Sequence, residues 1–380
     1  MNFTFTQAGG TIGGLSEEWY GVASSADGAK LLAASTTSGN IWLSTDSGAT
    51  WAISGAAPTD AGWSSATSSA DGATLIVSNT TSNTTWLSSN SGTTWSQITA
   101  LNGAGYAVAS SSDGSKLFAA GSPGGIQYSS DGGANWAVSN AASLNWHSIA
   151  CSADGTKVVG ASTSVGLVYL SVDSGATWTE SGLNLSGSWL SVASSSDGSK
   201  LVASSFDQGV HLSTNSGSTW MSTGLPVANW FTVTSSSDGV KLAAANYDDG
   251  HIWTSSDSGA SWIQTVAVFS PNPITLASSA SGNKLLMGTA GGTVWTGSPP
   301  TIDGSNNTVT GTTTWGDGSS LILTTSGVVQ AGATLTLNIP SLDALTGTGF
   351  HIEVQPGGSL VLGTETVVSV DGQPYRINGR

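Results

Sequence analysis

Arginine is missing from the first 375 residues of this 380-residue chain; its only copies, Arg376 and Arg380, stand at the end. Charge of either sign is scarce, at 8% of residues, and leans acidic, with a net charge of −15. The six lysines (Lys30, Lys116, Lys157, Lys200, Lys241 and Lys284) each follow an Asp-Gly or Ser-Gly pair and are spread evenly along the chain. A nucleic-acid backbone is gripped by clustered cations, so no nucleic-acid partner is expected. The single cysteine, Cys151, excludes an internal disulfide. It stands where Ser24, Ser110 and Ser194 stand in equivalent stretches, which reads as a buried, inert thiol. A reactive thiolate would want a cationic neighbour, and only His147 is near in sequence. No apolar run is long enough for a membrane-spanning helix, so no membrane insertion is expected. Met1-Asn2-Phe3-Thr4 opens no recognisable signal peptide. The expectation is therefore another export route, a removed signal, or assembly inside a cell, with the protein working outside cells or on a virion surface.

Glycine, serine and tryptophan, by contrast, recur in register. The phrase Ser44-Thr45-Asp46-Ser47-Gly48-Ala49-Thr50-Trp51 returns as Asn90–Trp95, Asp131–Trp136, Asp173–Trp178, Asn215–Trp220 and Asp257–Trp262. A second phrase, Ser-x-Asp-Gly, precedes each copy at Asp27, Asp71, Asp113, Asp154, Asp197 and Asp238, with a degenerate seventh at Ser281-Gly282. The step is about 42 residues, and strand-rich repeats of that length read as propeller blades. Within the first repeat, short apolar runs at 21–25, 30–35, 40–44 and 50–54 alternate with Gly, Ser, Asn and Asp, which reads as four strands and no helix. The seventh repeat supplies three strands before Pro299-Pro300, while residues 2–8 resemble the segment that follows each repeat tryptophan. The reading is an all-β, seven-bladed propeller over residues 1–298, closed by its N-terminal strand. A small all-β unit over 299–380, with turns at Gly-Asp-Gly and Pro-Gly-Gly, follows it.

The Ser-x-Asp-x-Gly-x-Thr-Trp phrase resembles the Asp-box, or BNR repeat. The resemblance implies a turn between the third and fourth strands of each blade. Asp46, Asn90, Asp131, Asp173, Asn215 and Asp257 would then cap the turn, and Trp51, Trp95, Trp136, Trp178, Trp220 and Trp262 would pack between blades. Asn in two copies suits a cap and not a catalytic carboxylate. The tandem pattern is also similar to repeat proteins of the photosystem II assembly factor-like and xyloglucanase-like kind. Sialidases share the box, but their three-arginine grip has no counterpart here.

A xyloglucanase-like hydrolase would need two carboxylates. Outside the repeat phrases the propeller region has Asp60, Asp207, Asp248, Asp249, Glu17, Glu18 and Glu180. These are placed on blade connections or second-to-third-strand turns, on one face. Solvated loop acids are the reading adopted, and a glycoside hydrolase is the alternative. Asp207 with His211, and Asp248 with His251, form the set to check for a metal, although the spacing fits no established motif and no metal or cofactor is expected.

Trp19, Trp63, Trp146, Trp189 and Trp230 share one repeat position at the opening of the innermost strand, where Gly105 and Pro273 fill the other two slots. The position suits either packing between blades or a sugar-stacking platform at the channel mouth. With Asp207, Tyr247, Asp248 and Asp249 these tryptophans are the candidate ligand contacts. Trp42, Trp86, Gln127, Tyr169, His211 and Trp253, two residues before each box serine, vary enough to suggest exposed decoration. Residues 333–371 are similar to small β modules of phage tail fibres, which implies an attachment or homo-oligomerising role for residues 301–380. The function expected is non-catalytic recognition or scaffolding, binding glycan or protein through the face that bears the connections between blades. A purely structural appendage or virion decoration is a further alternative.

Overall fold

The computed structural model describes residues 3–298 apart from 9–11, 13–16, 56, 100, 102–104, 184, 266, 271 and 293. Beyond 298 it describes the backbone of the strands alone. Two compact units emerge, Phe5–Gly297 and a second made of Ser298–Arg380 with Met1–Thr4.

The first unit is seven four-stranded antiparallel sheets, and no helix occurs among the described residues. Blade 1 runs Trp19–Ser24, Leu31–Ser35, Ile41–Ser44 and Ala52–Ile53 from the innermost strand outward. Innermost strands of the others are Trp63–Ser68, Ala107–Ser110, Trp146–Cys151, Trp189–Ser194, Trp230–Ser235 and Pro273–Ser278. Second strands such as Leu31–Ser35 and Leu75–Asn79 are buried throughout, because a sheet lies against each of their faces. The six complete repeats end in outer strands of only two residues, which leaves little edge for another chain to pair with.

Blade 7 is finished by the other end of the chain. Thr4–Gln7 lies beside Val294–Ser298 in the sheet. The Ala8 N–H donates to the Val294 carbonyl at 2.9 Å. Phe5 meets Phe269 edge-on at 5.1 Å, and Phe269 meets Trp295 at 5.4 Å.

The Asp-Gly turns tie the blades together. Seven backbone hydrogen bonds of 2.7–2.8 Å run from Ala26 to Ala70, Ser112, Ala153, Ser196, Ser237, Ala280 and back to Ala26, each N–H donating to the next carbonyl. Within each turn the serine hydroxyl and a backbone N–H converge on the carboxylate: Ser25 Oγ at 2.6 Å and Ala29 N at 2.9 Å on Asp27 Oδ1. Five of the six lysines are clips to the following blade. Lys30 Nζ donates to Asp71 O (2.8 Å) and Ser91 Oγ (3.3 Å), Lys157 to Asp197 O and Ser216 Oγ, Lys200 to Ser258 Oγ and Lys241 to Asn283 Oδ1. Lys284 donates to Ser47 Oγ at 3.0 Å, across the joint where the ring closes.

The box turns behave as capped turns. Asp46 accepts from Ser44 Oγ, Thr50 N and Thr50 Oγ1, and Trp51 Nε1 donates to Gly48 O at 3.0 Å. Ser47 has φ 61° and Gly48 φ 88°, so the tightest point needs two successive left-handed residues, and only the second is always glycine. Hydrogen bonds from Ser111, from the Asn135 backbone and from Ser152 hold Asp113, Asp131 and Asp154 respectively at about 2, below the ordinary 3.8. A carboxyl depressed on folding adds stability above its ordinary value and loses it as pH falls toward the depressed one. The urea midpoint, followed by tryptophan fluorescence, is therefore expected to stay level from pH 7 to 5 and to drop between about pH 4 and 2. Asp131→Asn, which copies Asn90 and Asn215, should keep the pH 7 midpoint, whereas Asp131→Ala should lower it. An unchanged midpoint at pH 2.5 would refute the capping role.

The second unit is all-β as expected, but its pairing is parallel. Thr301–Ile302, Leu321–Leu323, Ser341–Ala344 and Val367–Val370 pair in that order, and Gln373–Pro374 adds an antiparallel end. Thr308–Val309, Gly327–Val329 and Ile352–Val354 form a second ladder, and Thr312–Trp315, Thr334–Leu337 and Ser359–Leu362 a third. Successive passes of the chain feed the same three ladders in turn, the pattern of a parallel β-solenoid.

Candidate functional site

Strand direction alternates within a blade, so the Asp-Gly turn and the turn that ends in the repeat tryptophan share one face. The second-to-third-strand turn and the connection to the next blade share the other. The inner strands line a central channel of about 350 Å³. At the end that bears the Asp-Gly turns its wall is Ser24, Ser68, Ser110, Cys151, Ser194, Ser235 and Ser278. Burial pushes the Cys151 thiol up to about 12, and its Sγ donates to the Ser110 carbonyl at 3.2 Å, so it is no nucleophile. His147 cannot activate it: burial lowers the imidazole's pKa, and its Nδ1 is engaged 2.6 Å from the Leu190 carbonyl.

The connection-face mouth is aromatic. Tyr20, Tyr106, His147 and Phe231 line it from blades 1, 3, 4 and 6. Ring centroids lie 6.3 Å apart for Tyr20 and Phe231, 6.2 Å for His147 and Phe231, 5.2 Å for Tyr106 and His147, and 5.6 Å for Phe231 and Tyr247. The rings therefore meet across the axis rather than only along the wall. All five are half-buried. The Tyr20 phenol is raised first by burial, then by the Glu18 carboxylate and by Tyr247 and Tyr106.

The five tryptophans expected near this mouth are not in it. Trp19, Trp63, Trp146, Trp189 and Trp230 are 0% exposed and offer no surface to a ligand, which corrects their place among the contacts. A β-bulge between each tryptophan and the second residue after it is the cause: Trp63 pairs with Asn79, but Ser65 pairs with Ser78. The indole turns between blades and the following residue faces the channel. Trp63 packs among Leu32, Ala34 and Ile41 of blade 1 and Leu75 and Val77 of blade 2, and its Nε1 donates to Gly39 O at 2.8 Å. The residue that matters at the mouth is thus one place later, and the alternating in–out rule that would have found it is broken by the bulge.

The third-strand set is also packing rather than decoration. Tyr169, His211 and Trp253 meet Trp146, Trp189 and Trp230 edge-on at 5.2, 5.5 and 6.2 Å. Trp42 and Trp86 pack against the clusters that hold Trp19 and Trp63.

The seven extra acids divide, and Glu18 stands exposed at the entry to blade 1, its backbone bridged to Ala290. Glu17 is buried and accepts from Ser35 Oγ and the Ser38 N–H. Asp207 accepts from Ser205 Oγ and the Ser188 N–H, and Asp248 from the Asn229 N–H at 3.0 Å, each joining a turn to the incoming connection. Burial pushes Asp207 up, but its hydrogen bonds outweigh this and leave it below the ordinary value. Asp60 accepts from the Asn79 side chain with its backbone carbonyl, at 2.9 Å. Asp249 lies 3.3 Å from His251 Nδ1. Glu180 is on the exposed outer strand of blade 4 rather than in a loop. His211 is buried beside Trp189, and no three His, Cys, Asp or Glu among the described residues converge on one point. Asp207, His211, Asp248 and His251 are not gathered into a metal centre.

Exposed apolar side chains gather on the same face. Val165 is in the second-to-third-strand turn of blade 4 and Phe206, 55% exposed, in that of blade 5. Leu185, Val227 (74%) and Val268 (62%) lie in the three connections that follow blades 4, 5 and 6.

No family model and no curated protein matches the chain. Solved structures do. YCF48 from Cyanidioschyzon merolae has a TM-score of 0.60 at 15% identity, covering 78% of this chain and 98% of that one. A YCF48 bound to D1 peptide gives 0.60 at 14%, with 78% and 96% covered. The GH74 xyloglucanase from Xanthomonas campestris gives 0.60 at 16%, covering 77% of this chain and 53% of its own length. At these identities the likeness is one of fold.

Proposed function

We propose that the propeller is a non-catalytic recognition scaffold that holds a protein segment on its connection face, with residues 299–380 as the mounting piece, outside a cell or on a particle surface. The observation that carries this is the run of exposed apolar side chains, Val165, Leu185, Phe206, Val227 and Val268, on successive loops of blades 4 to 6. Apolar residues gathered on one face mark an interaction surface more than isolated ones do. A propeller of similar fold binding a peptide supports the choice of a protein partner. A glycan receives less support, since the tryptophans that would stack on it are internal. A hydrolase receives less still, since Glu17, Asp207 and Asp248 already serve as turn acceptors.

Selection of a random peptide library on the immobilised protein tests this reading. Enriched peptides are expected to bind in solution and to lose at least about tenfold in affinity to Phe206→Ser/Val227→Ser, which removes two exposed apolar contacts and leaves the buried core untouched. Peptides bound equally by the double variant, or oligosaccharides bound where peptides are not, would reject it.

A further inference from the structure

We infer that the aromatic channel mouth seats the cationic side chain, arginine or lysine, of a basic partner segment whose apolar neighbours lie on the blade 4 to 6 loops. This rests on the recognition reading above and adds the partner's chemistry. Three observations converge. Tyr20, Tyr106, Phe231 and Tyr247 gather aromatic rings around the mouth, each half-buried and so partly desolvated, the condition under which a cation gains most from a ring. Glu18, exposed, acts electrostatically on Tyr20, and Asp248 and Asp249 directly follow Tyr247, also exposed. Fixed positive charge is remote: all six lysines sit on the face of the Asp-Gly turns, where five are clips between blades, burial lowers the His147 pKa, and the one imidazole beside these acids, His251, lies 3.3 Å from Asp249. The face is therefore acidic and aromatic at its centre and apolar around blades 4 to 6, which complements a basic, apolar segment and disfavours an acidic one.

Fluorescence anisotropy with the full chain and three fluorescein-labelled dodecapeptides, alternating Leu/Arg, Leu/Gln and Leu/Glu, decides it. The Leu/Arg peptide is expected to bind at least about tenfold more tightly than Leu/Gln, and Leu/Glu not at all. Affinity should weaken as salt rises toward about 0.5 M. Glu18→Gln, an exposed change, and Phe231→Leu, which keeps apolar volume but removes the ring, should each cost at least about threefold, while Met221→Gln on the outer edge costs nothing. Equal binding of Leu/Arg and Leu/Gln, binding indifferent to both mouth variants, displacement by a neutral oligosaccharide, or no binding of Leu/Arg would each overturn the inference. In the last case, library-selected peptides without basic residues that still depend on Phe206 and Val227 would leave the recognition reading standing.

Discussion

Trp189→Ala is expected to remove about 3–5 kcal/mol from the stability of the propeller, the largest single-residue effect in the chain. The ring is wholly enclosed between blades 4 and 5, against Val159, Ala161, Val168 and Leu183 on one side and Val192, Leu201 and Ala203 on the other. Its loss opens a cavity at a joint, where two sheets would have to slide to refill it. Its Nε1 also donates to Gly166 O at 2.9 Å and to Leu185 O at 3.2 Å, and buried carbonyls left without a donor add to the cost. Phenylalanine separates the two terms. Trp189→Phe keeps most of the volume and loses the donor, whereas Trp19, equally enclosed, has an Nε1 without a hydrogen bond among the described residues. Trp19→Phe should therefore be milder than Trp189→Phe by about 1–2 kcal/mol. Urea unfolding of the four variants measures this. A Trp189→Ala cost below 1 kcal/mol would mean that the joints do not depend on these rings.

The ring was legible because its parts repeat. Asp, Gly and Trp recur at fixed places, the serine-aspartate turns impose their own geometry, and the incomplete seventh repeat names its missing strand. The exceptions are also physical: at Gly105 a Cβ would stand 2.6 Å from the Asn79 carbonyl, so blade 3 has no room for a tryptophan. The mouth was illegible for a related reason. Tyr20, His147 and Phe231 follow a repeated tryptophan but do not themselves repeat, and the bulge that turns them inward has no signature in residue type. The even spacing of the lysines was legible, but that five of them clip neighbouring blades was not, because their partners lie about a repeat or more away in sequence. The second unit's parallel ladders were hidden because strands of two to four residues, without a shared phrase, show no period.

Removing residues 2–8 should do more damage than removing the outer strand of any other blade. Those strands are two residues long and exposed for the most part, whereas Thr4–Gln7 is twice that length and pairs with blade 7 while belonging to the chain segment that precedes blade 1, so it fastens the gap between them. Without it the Val294–Ser298 edge is bare, Phe269 loses the Phe5 ring, and the apolar cluster around Trp19 loses Ala8. About 3–5 kcal/mol and a fall of roughly 6–15 °C in melting temperature are expected, together with concentration-dependent association through the open edge. The remaining clips at this joint are few: Lys284 to Ser47 and the Ala280 to Ala26 backbone bond on the face of the Asp-Gly turns, and the Glu18–Ala290 bridge on the other. A synthetic peptide of residues 1–12 added to the shortened chain should restore the melting temperature in proportion to its concentration, because it binds the folded state alone. A shortened chain that melts with the intact one and stays monomeric would show that the joint is sealed without the N-terminal strand.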